Sequence, residues 1–482
     1  MKKDKKACLI LFLTAIILRL LPELLIPTYP VGYETITYYA PAMIQPNPIS
    51  INPYLNFVQH IQFISAHRPL ADTFRSGPLF YIIIWLAADL SGGNSFLSLK
   101  ATAPLFYGCL ALSFFIFTRR GLNLEPKIAF LATMILIFQP AALRESWDRY
   151  RTVLSLIFFF ATLTLMTKPR SNRKYIATAT LGILTVLSRE YVGLVLLITI
   201  AGYAIFEKKN RIASIITIAP AIITFFAMFN KVWLDVNYLS PDSTFYVASY
   251  GLAVLDSLAI FAANYILLLP FILKGFRKNH LLNPMTGWLL LGSFSFVLLP
   301  WFAIPGYQRW IMLLVFPFCI YSTWGLLRLN LGKHRKKIIG AVLLTFMAIG
   351  TAYSTGAFSL IIPNSYIPNS YIPSSLVQSS IPWNQIDAVK NVTGWLQSHA
   401  EPKTALLSEE RFYGWSMINL EPQNDNITVL AYGANSLPDS ALKEAIDNNC
   451  SQIYLIWYKT SSPLNFSLTY SNQDMAIFKY TP

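Results

Sequence analysis

The chain has 482 residues, of which 54% are hydrophobic and 13% are charged, whereas an average soluble domain carries about 25% charged residues. With its many apolar runs near the length that a bilayer demands, this composition excludes an ordinary soluble protein and predicts a polytopic membrane protein. The formal charge of +15 does not predict nucleic-acid binding, because the 38 Lys and Arg residues are concentrated between the apolar runs.

Eleven apolar runs predict α-helical membrane spans, and the range is about 11 to 13 once two ambiguous runs are allowed for. The runs cover residues 8–26, 101–117, 128–142, 151–167, 176–188, 191–206, 212–229, 252–273, 285–303, 310–328 and 339–358. The first run follows a lysine-rich stretch and lacks a small-residue cleavage site, so we expect it to remain as a membrane anchor.

The connectors between these runs alternate in charge. Those on one side of the predicted membrane carry 22 Lys and Arg residues, and those on the other side carry eight. Because basic loops remain in the cytoplasm, we expect a cytoplasmic N-terminus and an extracytoplasmic C-terminal region in the cell membrane. The apolar run 78–90 contains Asp89, and a full crossing there would invert every later loop. We therefore predict a partial or interfacial outer helix, while a twelfth span stays open.

The first outer loop, residues 27–77, is far longer than most connections, which favours a functional role. It begins with PVGYETITYYAP, in which Glu34 is the one carboxylate among aromatic residues. Two interpretations stay open. Tyr33 and Tyr38 suit an aromatic belt at the headgroup layer, where a glutamate that faces water costs little. Alternatively, Glu34 is a catalytic acid placed where a lipid-borne substrate presents its head.

The second outer loop, PAALRESWDRYR, is dense in ionisable residues. Glu145 and Asp148 are three residues apart and so share one helix face, with Arg144, Arg149 and Arg151 interleaved. The two carboxylates could chelate a cation, orient a base or pair with the arginines, and salt-bridged helix capping is the commoner case. Such a density of charge at a membrane edge nevertheless favours a functional site.

Two more outer boundaries place an arginine beside aromatic residues. SREYVG contains Arg189 and Glu190, and IPGYQRW contains Tyr307 and Arg309. A guanidinium group binds phosphate oxygens in a forked geometry, so these arginines could hold the phosphate of a lipid carrier while the aromatic rings flank a sugar or an isoprenoid. Snorkelling arginines in an aromatic belt explain either site alone, but they explain the whole set less well.

Several other chemistries are not predicted. The four cysteines are far apart, so the sequence shows neither a disulfide framework nor a Cys-x-x-Cys metal site. His60, His67 and Asp72 give only a weak metal signal, so no metal site is predicted, and the use of a divalent cation as cofactor stays open. The Walker, Rossmann, Gly-x-Ser-x-Gly and His-Glu-x-x-His motifs are absent, which disfavours chemistry on soluble nucleotides.

The C-terminal region differs in character from the transmembrane domain, which we place at residues 1–360. Residues 361–382 are a linker rich in Pro, Asn and Ser, which we expect to be extended. Residues 383–482 predict a small α/β domain with strands at TALLS, ITVLAY, QIYLIWY and MAIFKY and with two helices. All four N-glycosylation triplets lie in this domain, which agrees with an extracytoplasmic location.

The order of these features resembles the GT-C superfamily of integral-membrane glycosyltransferases: one span, a long outer loop that opens with an acid, and then IFQPAALRESWDRYR. The similar families are the protein O-mannosyltransferases, the aminoarabinose transferases of lipid A and the RgtA-like transferases. The resemblance covers roughly residues 8–330. It implies a GT-C-like helical fold. It also implies that a sugar is transferred, with inversion, from a polyprenyl- or dolichyl-phosphate donor in the membrane lipid. The acceptor would be an extracytoplasmic protein, lipid or glycan.

The resemblance also implies roles for individual residues. The family's first-loop acid, a base toward the acceptor, matches Glu34, and its second-loop acid matches Asp148 or Glu145. Arg75, in FRSGP, is similar to the family's Arg-x-Pro-Pro position, with a glycine in place of the first proline. Arg309 is similar to the late arginine that contacts the donor phosphate. The other outer-side Tyr, Arg and Glu residues named above are expected to bind substrate.

Two other functions stay open. A transporter or flippase for a glycolipid also needs many spans and intramembrane charges, but the sequence does not show two matching halves. An O-antigen-type polymerase or ligase would have its long functional loop late in the chain, whereas here it comes first. The sequence does not predict the sugar, the acceptor or the role of the C-terminal domain.

Overall fold

A computed structural model describes most of the chain. The described residues are 2–40, 77–92, 95–168, 171–207, 211–233, 250–299, 304, 306–329, 334–360, 374–420, 426–433, 438–459, 465–472 and 474–481. Arg75, His60, His67 and Asp72 lie outside the described residues, and so does the predicted linker up to residue 373.

The described residues form two compact units. The first unit comprises residues 2–25, 77–81 and 101–376, and the second comprises residues 26–40, 82–100 and 377–481, each where described. The start of the first outer loop therefore belongs to the same unit as the C-terminal domain. The functional domain boundaries at residues 360 and 383 stay predictions.

The part of the chain before residue 360 is predominantly helical. A backbone inside a bilayer must satisfy its own hydrogen bonds, and an α-helix does so within one segment. The helices are α1 (Lys2–Leu25), α2 (Pro78–Leu90), α3 (Ser95–Ile116), α4 (Pro126–Phe138), α5 (Pro140–Asp148), α6 (Tyr150–Met166), α7 (Asn172–Ser188), α8 (Glu190–Phe206), α9 (Arg211–Trp233), α10 (Tyr250–Tyr265), α11 (Leu269–Gly275), α12 (Leu282–Leu298), α13 (Tyr307–Leu313), α14 (Val315–Arg328) and α15 (Arg335–Thr355).

Four helical segments among the described residues are long and apolar enough to cross a membrane, and up to six are if each of two bent pairs is one span. The segments are Asp4–Leu25, Phe96–Gly121, Tyr307–Arg328 and Lys336–Thr355. The bent pairs are α4 with α5 and α10 with α11, and α2, α6 and α8 are shorter apolar helices. These helices indicate a membrane protein. The count of about 11 to 13 spans stays a prediction.

Prolines accompany the breaks in two predicted spans. The run 128–142 consists of α4 and α5, which meet at an angle of 59°. Gln139 at the break is extended, because the residue before a proline is disfavoured in the helical region. The run 252–273 bends by 81° between α10 and α11, where Pro270 lies in the first turn of α11. The run 78–90 is the 13-residue helix α2.

The C-terminal domain is built on a five-stranded sheet. Its elements are α16 (Ile386–His399), β1 (Thr404–Glu409), α17 (Glu410–Asn419), β2 (Ile427–Tyr432), α18 (Asp439–Asp447), β3 (Gln452–Tyr458), β4 (Phe466–Asn472) and β5 (Met475–Tyr480). The strand order is β2-β1-β3-β5-β4, with β1 parallel to β2 and β3, and β5 antiparallel to β3 and β4. The four predicted strands and both predicted helices are present, and β4 and α17 are additions that the sequence pattern did not predict.

Alternation along the strands divides the apolar side chains between two faces of the sheet. One face packs against α16 and α17 through Leu406, Tyr454, Ile456 and Ile477. The opposite face packs against α18 through Leu407, Leu455, Ala476 and Phe478. Because both faces are covered, every residue of β1 is buried, which explains its nearly continuous apolar sequence.

The beginning of the first outer loop packs against the first of these faces. A short π-helix, Thr35–Tyr39, directly follows Glu34. Gly32, just before it, has a φ of 119°, which glycine alone adopts easily, and its N–H group donates to the carbonyl of Gln378 at 2.9 Å. Ile36 is fully buried in the core with α16 and α17. The segment that carries Glu34 is therefore part of the sheet domain.

Candidate active site

Two arginines occupy breaks between consecutive helices of the first unit. Arg149 separates α5 from α6 with φ −109° and ψ 51°, and Arg189 separates α7 from α8 in an extended conformation. They are only 4% and 6% exposed. Because α6 and α8 begin directly after them, the free N–H groups of two helix N-termini lie beside these arginines, and both favour an anion.

Tyr191, in the first turn of α8, connects arginines from different helices. The centre of its ring lies 5.3 Å from the guanidinium carbon of Arg189 and 5.8 Å from that of Arg309 in α13. Its hydroxyl group is 2.8 Å from Thr152 Oγ1 in α6. One buried aromatic ring thus contacts two guanidinium groups, each by a cation–π interaction.

Glu145 holds the third arginine of this region. Arg149 Nη1 donates to Glu145 Oε1 at 2.6 Å, and the charges of both residues act on the Tyr191 hydroxyl. Glu145 is fully buried, and its Oε2 accepts no hydrogen bond from any described residue. A buried acceptor without a donor costs about 1 to 3 kcal/mol, so this oxygen is suited to a substrate hydroxyl. Glu145, Arg149, Arg189, Tyr191 and Arg309 form the arginine cluster.

Other predicted residues of the same helices lie next to the cluster. Arg189 Nε lies 3.6 Å from Glu190 Oε1, and the Arg144 guanidinium carbon lies 4.6 Å from the centre of the Trp147 ring. Asp148 is the last residue of α5, and the structure describes its backbone only. Arginines outnumber the glutamates whose side chains are described here, which gives the region a positive charge.

The chain passes this region at Gly77. A Cβ atom at Gly77 would lie 2.5 Å from the carbonyl oxygen of Ser188 and 2.8 Å from Arg151 Cδ, distances that side chains do not tolerate. Glycine therefore allows the backbone to pass directly beside the break at Arg189 and the buried Arg151. Arg75, two residues earlier, lies outside the described residues.

A buried ion pair in α1 holds the end of α5. Arg19 donates to the carbonyl oxygens of Ser146 at 3.0 Å and Trp147 at 3.2 Å, and it pairs with Glu23 at 3.0 Å. The last carbonyl groups of a helix have no partner within it, so a guanidinium group at that position caps the helix. Arg19 thereby fixes the segment that carries Glu145.

Tyr307 and Gln308 contact an acid that the sequence pattern did not single out. Asp256 in α10 accepts a hydrogen bond from Gln308 Nε2 at 3.3 Å and lies 3.5 Å from the Tyr307 hydroxyl group. The helix α13 begins after Gly306, which has a φ of 69°. These contacts tie the first turn of α13 to α10 and so help to place Arg309.

A second group of polar side chains surrounds Glu34 in the other unit. Tyr39 donates to Glu34 Oε2 at 3.3 Å. Tyr38 donates to Glu410 Oε1 at 2.7 Å, and Tyr33 is also hydrogen-bonded to Glu410, the first residue of α17. These five residues form the tyrosine–glutamate cluster.

The phenols of Tyr33 and Tyr38 remain protonated at neutral pH. Burial, and then the charge of Glu410 and the hydrogen bond to it, raise the pKa of each phenol well above its usual value. The charge of Glu34 raises the pKa of Tyr38 further. Both hydroxyl groups therefore keep the proton that they donate. The carboxylates of Glu34 and Glu410 both act on the phenol of Tyr38.

The structure brings most of the predicted site residues with described side chains into these two clusters. The arginine cluster includes the predicted Glu145, Arg149, Arg189 and Arg309, and the tyrosine–glutamate cluster includes the predicted Tyr33, Glu34 and Tyr38. The partners that the sequence pattern did not assign are Arg19, Thr152, Tyr191, Asp256 and Glu410. In the part of the chain that the structure describes, no group of three or more His, Cys, Asp or Glu side chains could hold a metal ion.

Solved structures with a similar architecture decide the fold. The chain matches the crystal structure of ArnT from Cupriavidus metallidurans bound to undecaprenyl phosphate with a TM-score of 0.51 at 10% identity, over 99% of this chain and 97% of that chain. The chain has the GT-C fold. The GT-C resemblance of the sequence is thereby confirmed at the level of the fold, and the roles of individual residues stay predictions.

A larger protein matches over part of its length. The arabinofuranosyltransferase AftD from Mycobacteria matches with a TM-score of 0.53 at 12% identity, and its R1389S mutant in one class matches with 0.56 at 13%. These matches cover 98% and 97% of this chain but 40% and 41% of the AftD chains. No family model and no curated protein sequence matches the chain.

Proposed function

We propose that this protein is a membrane glycosyltransferase that moves a sugar from a polyprenyl- or dolichyl-phosphate donor to an acceptor outside the cytoplasm. The arginine cluster carries the proposal, because two guanidinium groups lie over the Tyr191 ring and a third, that of Arg149, pairs with the buried Glu145 in an apolar helical bundle. Such an arrangement suits an anion that arrives on a lipid. The fold supports the same class of donor, since the ArnT structure holds undecaprenyl phosphate.

The arginine cluster is assigned to the donor phosphate. Arg149 and Arg189 lie at the N-termini of α6 and α8, where the helix dipoles add to their charge. When the sugar leaves, the phosphate gains a negative charge, and preorganised cations stabilise that charge most strongly where water is excluded. Tyr191 holds two of the guanidinium groups on its ring and so limits their reorganisation.

Glu34 is assigned as the base. The acceptor hydroxyl attacks the anomeric carbon while its proton passes to Glu34, and the bond between that carbon and the phosphate oxygen breaks, which inverts the configuration. The hydrogen bond from Tyr39 orients one carboxylate oxygen of Glu34. A positioned base of this kind contributes about 10² to 10⁴ in rate.

Glu145 and Asp148 are the candidates for the second-loop acid of the family. Glu145 is the better supported by contacts, because its buried Oε2 accepts no hydrogen bond from the described residues. We assign the remaining predicted residues, Tyr33, Tyr38, Arg75, Arg144, Glu190 and Tyr307, to substrate binding or to its support.

A donor panel tests the proposed function. The full chain is reconstituted in liposomes with radiolabelled polyprenyl-phosphate sugars and a cell-envelope extract as the source of acceptor. We expect the label to leave the lipid with the wild type and to stay on it with Glu34→Gln. The control is Glu444→Gln on the exposed face of α18, which should transfer normally. Failure of the wild type to consume any donor contradicts the proposal, and an intact donor that crosses the bilayer indicates a flippase instead.

The proposal also requires an extracytoplasmic location for Glu34 and for the end of α5, which carries both candidates for the second acid. Single cysteines at positions 34 and 148, in a chain whose native cysteines are replaced by serine, should react with a membrane-impermeant thiol reagent from the outer side of oriented vesicles. Labelling of either position from the cytoplasmic side alone overturns the assignment.

A further inference from the structure

Glu410 belongs to the C-terminal domain, yet its partners are residues of the first outer loop. It begins α17 immediately after β1, at the carboxyl end of that strand. Its Oε1 accepts from Tyr38 at 2.7 Å, and Tyr33 is hydrogen-bonded to the same carboxylate. Tyr33 precedes Glu34 by one residue, and Tyr38 follows it by four. One carboxylate therefore holds the chain on both sides of Glu34.

We propose that Glu410 is a positioning residue that fixes Glu34 for proton transfer through Tyr33 and Tyr38. The inference rests on the proposed function of Glu34. It gives the C-terminal domain a part in catalysis, since α17 supplies the anchor for the segment that carries the base.

The packing between α17 and the π-helix is too close to be incidental. A Cβ atom at Gly414 would overlap the carbonyl oxygen of Ile36 and would lie 2.7 Å from the Cα atom of Thr37. Only glycine allows α17 to approach the π-helix so closely. The neighbouring Trp415 is fully buried, and its ring meets the edge of the Tyr29 ring with centres 4.9 Å apart.

The charges next to Glu410 leave its carboxylate available to accept hydrogen bonds from the phenols. Arg411 donates from Nε and Nη2 to the two oxygens of Glu409 at 3.0 Å and 2.8 Å. This forked pair compensates the buried Glu409. Arg411, the nearest arginine in sequence, is thus paired with Glu409. Glu410 instead accepts hydrogen bonds from the neutral phenols of Tyr33 and Tyr38, and the charge of the acceptor strengthens both bonds.

Tyr39 completes the connection to the base. It follows Tyr38 directly in the π-helix and donates to Glu34 Oε2 at 3.3 Å. A shift of the π-helix away from α17 would therefore move both the backbone of Glu34 and the donor that orients its carboxylate. Glu410 acts on Glu34 through these neighbours and needs no contact with the substrate.

Hydrogen exchange on the purified full chain tests the anchor independently of any activity. We expect Glu410→Ala and Gly414→Ala each to speed exchange of the amides in residues 33–40 by about tenfold or more. The first variant loses the hydrogen bonds to the loop, and the second loses the close packing of α17 against the π-helix. Gly394→Ala is the matched control, since a Cβ atom at that helical position of α16 meets no atom within 4 Å, and it should leave exchange unchanged. Unchanged exchange in Glu410→Ala and Gly414→Ala overturns the inference.

Kinetics test whether the anchor acts through Glu34. With a donor that the wild type uses, Glu410→Ala should lower kcat by about 10- to 100-fold with little change in donor KM. Added to Glu34→Gln, it should cause no further loss, because a base that is already absent cannot be misplaced. A further loss in the double variant, or faster exchange with full kcat, overturns the positioning role.

The two proposals can fail separately. If the wild type transfers no sugar from any donor, the proposed function is wrong, while the exchange experiment still decides whether Glu410 anchors the loop. If Glu410→Ala does not fold, Tyr38→Phe with Tyr33→Phe removes the same hydrogen bonds from the opposite side and should give the same exchange and the same kcat. Wild-type behaviour of that double variant overturns the inference.

Discussion

The two polar clusters of this molecule differ in the sign of their charge. The arginine cluster has three guanidinium groups, two of them over the ring of Tyr191, and one carboxylate, with Glu190 beside Arg189. The tyrosine–glutamate cluster has two carboxylates and three phenols. A transfer reaction that releases a phosphate and moves a proton needs a cationic group and a base. Under the proposed function, the first cluster serves the anionic leaving group and the second serves the proton.

The clusters also differ in how they are held. The arginine cluster lies in an apolar bundle and depends on buried ion pairs such as Arg149 with Glu145, where loss of one partner leaves an uncompensated charge. The tyrosine–glutamate cluster depends on neutral donors that bond to a carboxylate, so a single loss there leaves no unpaired cation. Substitutions should therefore affect chemistry in the second cluster and both stability and donor binding around the first.

The largest effect is expected from removing the proposed base. Glu34→Gln has the shape of the wild-type residue and can still accept from Tyr39, but its amide cannot take a proton. We expect kcat to fall by about 10² to 10⁴ with the donor KM nearly unchanged. Steady-state transfer assays at several donor concentrations measure both. A raised donor KM with full kcat would reverse the assignment of the two clusters.

The next effect concerns the support of α5. Arg19→Met removes the guanidinium group that pairs with the buried Glu23 and caps the last turn of α5, so we expect a loss of about 3 to 5 kcal/mol in stability. The double variant Arg19→Met with Glu23→Met removes both charges and should be the more stable of the two. Melting temperatures in detergent compare them. Equal melting of the wild type and Arg19→Met would show that the pair does not support the bundle.

A smaller effect is expected for donor binding. Arg309→Ala should raise the donor KM by about 10- to 100-fold, because one charge-assisted contact to phosphate is lost. Arg277→Ala is the matched control, since Arg277 also lies over an aromatic ring, that of Trp324, in a connector predicted to be cytoplasmic. A weaker affinity for the acceptor alone in Arg309→Ala would contradict the phosphate role.

The smallest effect tests Tyr191. Tyr191→Phe keeps the ring beneath the two guanidinium groups but removes the hydrogen bond with Thr152, so we expect the donor KM to rise less than tenfold. Thr152→Val should do the same, and the two substitutions together should not add. Additive losses would mean that the hydroxyl group of Tyr191 contacts the donor directly.

Local sequence patterns predict what is local in this fold. The period of β1, β2, β3 and β5 is readable because their apolar faces are covered, whereas β4 has one buried residue and is mostly polar, so its pattern is weak. Pro140 indicates the break that precedes α5, although the apolar run continues across it. Glu34 and the arginines are identifiable from residue type and position.

The connections between distant residues could not be read in this way. Tyr38 and Glu410 are 372 residues apart, and Arg19 is 127 residues from the carbonyl it caps. No periodicity or spacing links such residues, because tertiary packing alone brings them together. For the same reason Tyr191, one of many aromatic residues at a helix end, gives no sign in the sequence that it contacts two arginines.

The burial of Ile36 in the core of the sheet has a consequence for biosynthesis. Ile36 is translated long before the strands and helices that enclose it, which lie between residues 381 and 477, so the domain cannot close until β5 has been synthesised. A ribosome stalled before β3 should release a chain whose bundle is inserted but whose segment around Glu34 is open to protease. The segment around Glu34 would thus be enclosed only after β5 has been synthesised, and a stop codon before β3 would leave a membrane protein in which this segment stays open.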